Sequence, residues 1–470
     1  MPKHLRRRDA SRIRVAALAV LGACAVLMCV GAATASRAPG AIPPVASARA
    51  RAIAAGEFHT CAVTRAGIVE CWGSNRAGQL GDGTRADRRI PVAVNALTGV
   101  ASIAAGGSFT CARTSAGGVD CWGDNAHGQL GDSAGRSSTP VAVFGLSSGV
   151  AAISAGAAHA CALTTGGAVR CWGGNEHGQL GDGTRSNRTT PVSVSDLSSG
   201  VIAIAAGGGH TCAVTRSGAV KCWGDNAYGQ LGDGTTITRT TPVPVSGLTS
   251  GVAAIVAGGQ HTCALTRRGA VRCWGRNRFG QLGDGTTKTR TRPTALAALA
   301  RGVVSIAAGK SHSCALTGEG RTRCWGGNDS GQLGDATKTG RRAPTGVARL
   351  ARGVAAITAG ASHTCALMRG GRVYCTGENR HGQLGDGTRI ERRIRVGVIG
   401  FGAFICVVPR VLGNALQTAR AAIVHAHCRV GTVTQVASAK KRNTVLRESP
   451  RPGKLLKSGA RVSLTVSRGR

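Results

Sequence analysis

A unit of 50 or 51 residues recurs seven times between about residues 47 and 400, and every copy carries two cysteines ten positions apart. The first of each pair falls at Cys61, Cys111, Cys161, Cys212, Cys263, Cys314 and Cys365. A period near 50 implies a propeller or a solenoid, because one such unit cannot bury its own apolar face. Four short strands separated by turns fit inside the period, which favours the blades of a propeller. The expected fold class is therefore all-β: a seven-bladed β-propeller of four-stranded blades over 47–400. Abundant glycine (72 of 470 residues) and 3% aromatics agree with tight turns and short strands.

The fourth copy shows the parts. Val201–Ala206 is a small, apolar first strand suited to a crowded inner edge. Gly207–Thr215 reads as a turn and a second strand, and Ala219–Gly224 as the third. A glycine-rich corner follows, Gly229–Thr235. Pro242–Val245 is the fourth strand, placed at the outer edge by its prolines.

The hairpin between strands two and three fixes how the cysteines meet. A three-residue loop places a left-handed glycine at its third position, and Gly67, Gly117, Gly167, Gly218, Gly269, Gly320 and Gly371 occupy it. Counting outward from that loop, Thr64 faces Ile68, Val63 faces Val69 and Cys61 faces Cys71. Directly opposed residues lie about 4.5–5.5 Å apart at Cα, within disulfide reach. The same count pairs Cys111–Cys121, Cys161–Cys171, Cys212–Cys222, Cys263–Cys273, Cys314–Cys324 and Cys365–Cys375. His59 with Cys61 and Cys71 could imitate a zinc set, but tetrahedral zinc wants four ligands and closer cysteine pairs. Disulfides are the expected chemistry, with no metal and no cofactor.

His59, His159, His210, His261, His312 and His363 recur at one repeat position, where Phe109 stands in the second copy. A residue repeated in nearly every blade belongs to the scaffold, so these read as histidines bonded to a neighbouring turn. Asp82, Asp132, Asp182, Asp233, Asp284, Asp335 and Asp386 read as turn-formers of the corner. Calcium at that corner is the alternative reading.

The string His-Thr-Cys-Ala-Leu/Val-Thr-x-x-Gly-x-Val-x-Cys-Trp-Gly-x-Asn-x-x-Gly-Gln-Leu-Gly-Asp-Gly-Thr resembles the regulator-of-chromosome-condensation repeat. That resemblance implies a seven-bladed propeller. The pattern departs at Phe109, at Ala336 in place of the corner glycine, and at Thr376 in place of tryptophan; these read as local drift.

The pattern changes from about Phe404. Cys406–Pro409 reads as a strand, Asn414–His427 as an alanine-rich amphipathic helix, Val430–Val436 and Arg461–Ser467 as strands, and Ser449–Gly453 as a turn. Val-x-Pro before the helix, and Ser-Pro-x-Pro-Gly before the terminal strand, resemble a PASTA domain, a small α+β module, over 405–470. Cys406–Cys428 would tie its first strand to the end of its helix. The resemblance implies a link to bacterial cell-wall synthesis and contact with peptidoglycan, with a structural cap or spacer as the alternative.

Residues 1–35 read as an export signal. A basic start (Lys3, Arg6, Arg7, Arg8, Arg12, Arg14) precedes an apolar run from Val15 to about Ala33, and Ala33-Thr34-Ala35 suits cleavage. An uncleaved membrane anchor is the alternative, and the membrane is a partner only in that case. Of 18 cysteines, Cys24 and Cys29 would leave with the signal, and the remaining 16 suit an oxidising compartment.

Formal net charge is +38. Many cations fall between the corner and the fourth strand: Arg85, Arg88 and Arg89; Arg185 and Arg188; Lys288, Arg290 and Arg292; Lys338, Arg341 and Arg342; Arg389, Arg392 and Arg393. These are equivalent loops, so a propeller gathers them on one rim able to attract anionic polymers. A solvated, arginine-rich face is the plain alternative. The sequence carries no phosphate-cradling loop, nucleophile elbow or asymmetric acid pair. The expected function is a secreted or envelope-bound, non-catalytic scaffold that holds a protein or an anionic polymer, with no specific nucleic acid as partner. Two alternatives stand. One is a secreted inhibitor similar to β-lactamase inhibitor protein II, disfavoured because Phe58, Phe109, Tyr228 and Phe279 look few and scattered. The other is nucleotide exchange on a small GTPase, as the family name suggests, disfavoured by the cysteines.

Overall fold

The computed structural model describes residues 48–348, 350, 352–402, 405–426, 428–457 and 459–469. The expected export segment and its cleavage site lie outside the described residues. No helix among the described residues is long and apolar enough to cross a membrane.

Seven four-stranded antiparallel sheets follow one another along the chain, each built from four consecutive strands. In blade 4 they are Val201–Ala206, His210–Thr215, Val220–Gly224 and Arg239–Pro244. The fourth strand starts three residues before the expected Pro242, because its first half is a polar Arg-Thr-Thr run that lacks strand alternation. Its register slips between Cys222 and Gly224, where a bulge bends it outward. Pro242 and Pro244 sit on that edge strand, which has no further neighbour to lose a hydrogen bond from.

The hairpin register places Cys61 opposite Cys71 and Val63 opposite Val69. All seven hairpin cystines form, each with Cα atoms 4.1 Å apart. Both sulfurs are buried, so each cystine is part of the packing as well as a crosslink.

No strand is exchanged between the first and last blades, so the ring closes through contacts alone. At the inner end of every joint a backbone N–H reaches the next blade. Glu57 donates to Gly106 O (3.1 Å), Gly107 to Gly156 O (3.1 Å), Ala157 to Gly207 O (3.1 Å), and so on to Ala361, which donates to Glu57 O (3.2 Å) across the seam. Glycine is required here: a Cβ at Gly56 would stand 2.5 Å from Gly106 O and 2.2 Å from His59 Cε1.

Further out, each tryptophan plugs the blade before it. Trp122 Nε1 donates to Gln79 O (2.9 Å), and across the seam Trp72 Nε1 donates to Gln383 O (2.9 Å). All six tryptophans are fully buried. Every joint core mixes two blades, as where Trp274 of blade 5 packs among Leu231, Val245 and Leu248 of blade 4.

The C-terminal domain is a small α+β unit. Its helix is Leu416–His425, shorter than the expected span at both ends. Arg429–Val436 runs parallel to Arg461–Ser467, which pairs antiparallel on its other side with Val445–Ser449. That strand and Leu455–Lys457, partner of Ile405–Val407, were not expected from the sequence, because both are short and neither alternates apolar with polar residues. Cys406–Cys428 forms, with Cα atoms 4.5 Å apart. Ala419 and Ile423 of the helix pack fully buried against Val462, Leu464 and Val466.

Candidate binding faces of the propeller

The repeated histidines are joint pieces. They bond a hydroxyl of the next blade in place of the neighbouring turn expected from the sequence. His210 Nε2 lies 2.8 Å from Thr262 Oγ1, and Thr262 Oγ1 donates to Gln230 O at 2.8 Å. The hydroxyl proton is thus committed to the carbonyl, so the histidine must be the donor, carrying its proton on Nε2. That tautomer leaves Nδ1 as a bare acceptor, and Nδ1 is indeed buried without a partner in all six histidines. The same relay links His59–Thr110, His159–Thr211, His261–Ser313, His312–Thr364 and, across the seam, His363–Thr60. Complete burial depresses these imidazoles to about 4 in His59, His159 and His312. In His210, His261 and His363 burial, aided by neighbouring histidines, takes them to about 3.

The departure at Phe109 is compensated. The residue that would accept a hydrogen bond there is Ala160, and both lie in one dry core cluster with Trp172. The joint between blades 2 and 3 therefore replaces the whole donor–acceptor pair with an apolar contact, which avoids a stranded hydroxyl. Thr376 is compensated differently. Its single hydroxyl proton lies between two carbonyls, Arg392 O (2.7 Å) and Gly331 O (3.0 Å), and a cavity of about 10 Å³ beside it is lined by Thr322, Leu333 and Tyr374.

The corner aspartates hold their turns and also capture arginines of the expected rim. Asp284 Oδ1 accepts from Asn277 Nδ2 (3.1 Å), Thr286 N (3.0 Å) and Thr286 Oγ1 (2.7 Å), while Oδ2 takes Arg290 (2.9 Å). Burial alone would raise this carboxyl, but the Thr286, Arg290 and Asn277 donors outweigh it and hold it below the usual range. Arg88, Arg188, Arg341 and Arg392 are tied in the same way to Asp82, Asp182, Asp335 and Asp386, at 2.7–2.9 Å. Lys338 pairs with Glu391 (2.6 Å). The rim exists as a set of equivalent loops, but many of its cations are internally neutralised. Arg85, Arg89, Arg185, Lys288, Arg292, Arg342, Arg389 and Arg393 have no carboxylate within ion-pair distance among the described residues.

The same face opens into the channel through a cavity of about 690 Å³. Its floor is the glycine–alanine ring of the joints, and its wall on one side carries His177, Asp225, Arg276, Phe279 and Lys310. Lys310 Nζ meets Glu57 Oε1 at 2.9 Å. The Arg276 guanidinium lies 4.6 Å from the centroid of the Tyr228 ring, and Phe279 is 41% exposed. Tyr228 and Phe279 hold the same corner position in adjacent blades, so they are neighbours here and not scattered as the linear sequence suggested. Phe58 meets His381 on this face in a tilted ring contact, 5.6 Å between centroids, while Phe109 is buried. Tyrosine and arginine are among the residues that carry most protein–protein binding energy, and phenylalanine is enriched at interfaces.

These features define a disulfide-stapled propeller whose loop faces are its candidate binding surfaces. The chain matches the RCC1-like domain over residues 133–408 and the regulator of chromosome condensation (RCC1) repeat over 67–113, and again over 50–79 and 100–129. It belongs to the RCC1-like propeller family, and its C-terminus matches the PASTA domain over 407–468. Among curated relatives, the human probable E3 ubiquitin-protein ligase HERC4 is 36% identical over 206 residues, 43% of this chain and 19% of that protein. The Arabidopsis thaliana ultraviolet-B receptor UVR8 is 34% identical over 210 residues, 44% of this chain and 48% of that receptor. The chain thus spans less than half the length of these relatives. Prp20p of Saccharomyces cerevisiae superposes with TM-score 0.63 at 24% identity, covering 72% of this chain and 87% of that one. Human WBSCR16 gives 0.62 at 24%, covering 68% and 88%.

Proposed function

We propose that this protein is an exported, non-catalytic binding scaffold of the bacterial cell envelope, whose propeller holds a protein or polymer while its C-terminal domain contacts the wall. The observation that carries this reading is the sulfur chemistry. Every cysteine among the described residues is in a disulfide, which is the habit of proteins outside a reducing cytoplasm. The PASTA match supports the same compartment and a wall polymer as a contact. The repeated polar residues support a scaffold, since histidines, corner aspartates and hydroxyls are used in joints and turns. The test is fractionation of the native host followed by pull-down of the protein with isolated wall material at low and high salt. Recovery in the extracytoplasmic fraction and salt-weakened retention on the wall are expected. A cytoplasmic protein with free thiols would reject the reading.

A second reading, a secreted inhibitor of another protein, draws on Tyr228, Arg276 and Phe279 at the channel mouth. Inhibition assays against a β-lactamase panel test it, and no inhibition at micromolar protein would remove that target class.

A further inference from the structure

The face opposite the channel-mouth cavity carries a second set of arginines, of which a smaller fraction is paired to carboxylates than on the corner rim. It is made by the tips of the cystine hairpins and by the links that lead into each first strand. The two pieces are joined by backbone bonds such as Arg216 N to Gly200 O and Arg267 N to Gly251 O, both 2.9 Å. Blade 4 presents Arg216 at its tip, blade 5 Arg267 and Arg268, blade 7 Arg369 and Arg372, and blade 1 Arg65, all exposed. In blade 6 the tip arginine is Arg321, which meets exposed Glu319 at 3.1 Å. The links into blades 6 and 7 add exposed Arg301 and Arg352.

Three observations separate this surface from a uniformly basic coat. First, Arg321 is the one arginine just named with a carboxylate within ion-pair distance among the described residues, whereas six of the fourteen cations named on the corner rim are so paired. Second, the charge breaks the sevenfold pattern. Blades 2 and 3 place Ser115, Ala116, Thr165 and Gly166 at the equivalent tips. A scaffold need would recur in every blade; this does not. Third, one guanidinium bridges neighbouring blades along this face: Arg267 Nη2 donates to Arg216 O of the preceding blade at 2.9 Å.

We propose that this arc, running from blade 4 through blades 5, 6 and 7 to blade 1, is a binding track for a linear phosphodiester polymer. The tip cations are all arginine, whose planar fork pairs with the two free oxygens of a phosphodiester. An open arc with a neutral gap suits a strand that enters at one end and leaves at the other. A flat lipid surface would meet all seven tips, and among them Ile68 is the one large apolar side chain more than a third exposed. The proposal concerns the polymer and the face, and it stands whether or not the C-terminal domain touches the wall.

The test uses the full chain and poly(glycerol phosphate), with poly-glutamate and phosphatidylglycerol vesicles as comparators. Arg267→Glu/Arg268→Glu/Arg369→Glu is compared with a rim triple of equal charge change, Arg89→Glu/Arg342→Glu/Arg393→Glu. Unchanged thermal midpoints certify that both triples fold. The expected result is at least tenfold weaker polymer binding for the hairpin triple. Its slope of log affinity against log salt should fall by about three, one counterion per lost contact, and the rim triple should stay within twofold of the parent. Equal weakening by both triples would reduce the effect to net charge and overturn the proposal. Equal or tighter binding to vesicles or to poly-glutamate would overturn the choice of polymer, and no binding by the parent at 0.15 M salt would overturn the site. None of these outcomes depends on fractionation of the native host, so the envelope reading is judged separately.

Discussion

Acid should unfold this propeller in a window set by its six joint histidines. In the folded ring their imidazoles ionise only near 3 to 4, against 6.5 for a free histidine. The folded value lies below the unfolded one, so the unfolded chain binds protons first, and stability falls as pH drops through 6.5. At pH 5 each histidine favours the unfolded state by RT ln(1 + 10^1.5), about 2 kcal/mol, against about 0.2 kcal/mol at pH 7. Six of them remove about 11 kcal/mol between pH 7 and pH 5, comparable with the whole stability of an ordinary domain, about 5–15 kcal/mol. Below about pH 4 the corner carboxylates add to the loss, because Asp82, Asp182, Asp233, Asp284 and Asp335 are held below their ordinary range when folded. Urea unfolding followed by tryptophan fluorescence from pH 7.5 to 4.5 measures the effect, since all six tryptophans are buried. The steepest region should show uptake of about six protons on unfolding, roughly 8 kcal/mol per pH unit. The natural Phe109–Ala160 joint supplies the control: His210→Phe/Thr262→Ala copies it and should remove about one proton from the uptake. A stability loss under about 3 kcal/mol between pH 7 and 5, or an unchanged uptake in the double variant, would refute the reasoning.

Ala336 and Ser133 hold left-handed backbone at φ 71° and 61° where equivalent corners have glycine; Ala336→Gly and Ser133→Gly should each stabilise by about 1 kcal/mol, read as a raised urea midpoint. Asp284→Asn keeps the shape of the corner but loses the ion pair to Arg290 and charged acceptance from Thr286 and Asn277, so a loss of about 2 kcal/mol is expected from the same melts. Cys212→Ala/Cys222→Ala opens one short loop and should cost about 3 kcal/mol in the chain-entropy model while leaving the circular dichroism spectrum of the sheets unchanged.

The spacing of residues displayed what lies within a blade. Cysteine spacing and hairpin glycines determined sulfur pairing and the register of strands two and three, while a small apolar run and a pair of prolines marked strands one and four, because those signals span few residues. The contacts between blades were harder to read, because the partners lie about 51 residues apart. The signal was present: Phe109 and Ala160 depart from the pattern one repeat apart, and Tyr228 and Phe279 repeat one position in adjacent blades. Neither pair has meaning until the ring sets blade beside blade. The rim was misweighted for a related reason. Arg290 and Asp284 are six residues apart, and only the folded corner turns that spacing into an ion pair that spends the charge.

Because every sheet is made from one unbroken stretch of chain, the circle has no privileged starting point. The seam between the last blade and the first is sealed by the same amide, indole and imidazole contacts as other joints. Cutting any link between neighbouring sheets and rejoining the propeller's own ends would preserve every strand pairing. Whole units could likewise be duplicated or shuffled without unravelling a neighbour. A ring whose latch is spread over all its joints leaves natural variation free to recolour one sector of a face, as the neutral tips of blades 2 and 3 already do, while the wheel behind it stays the same.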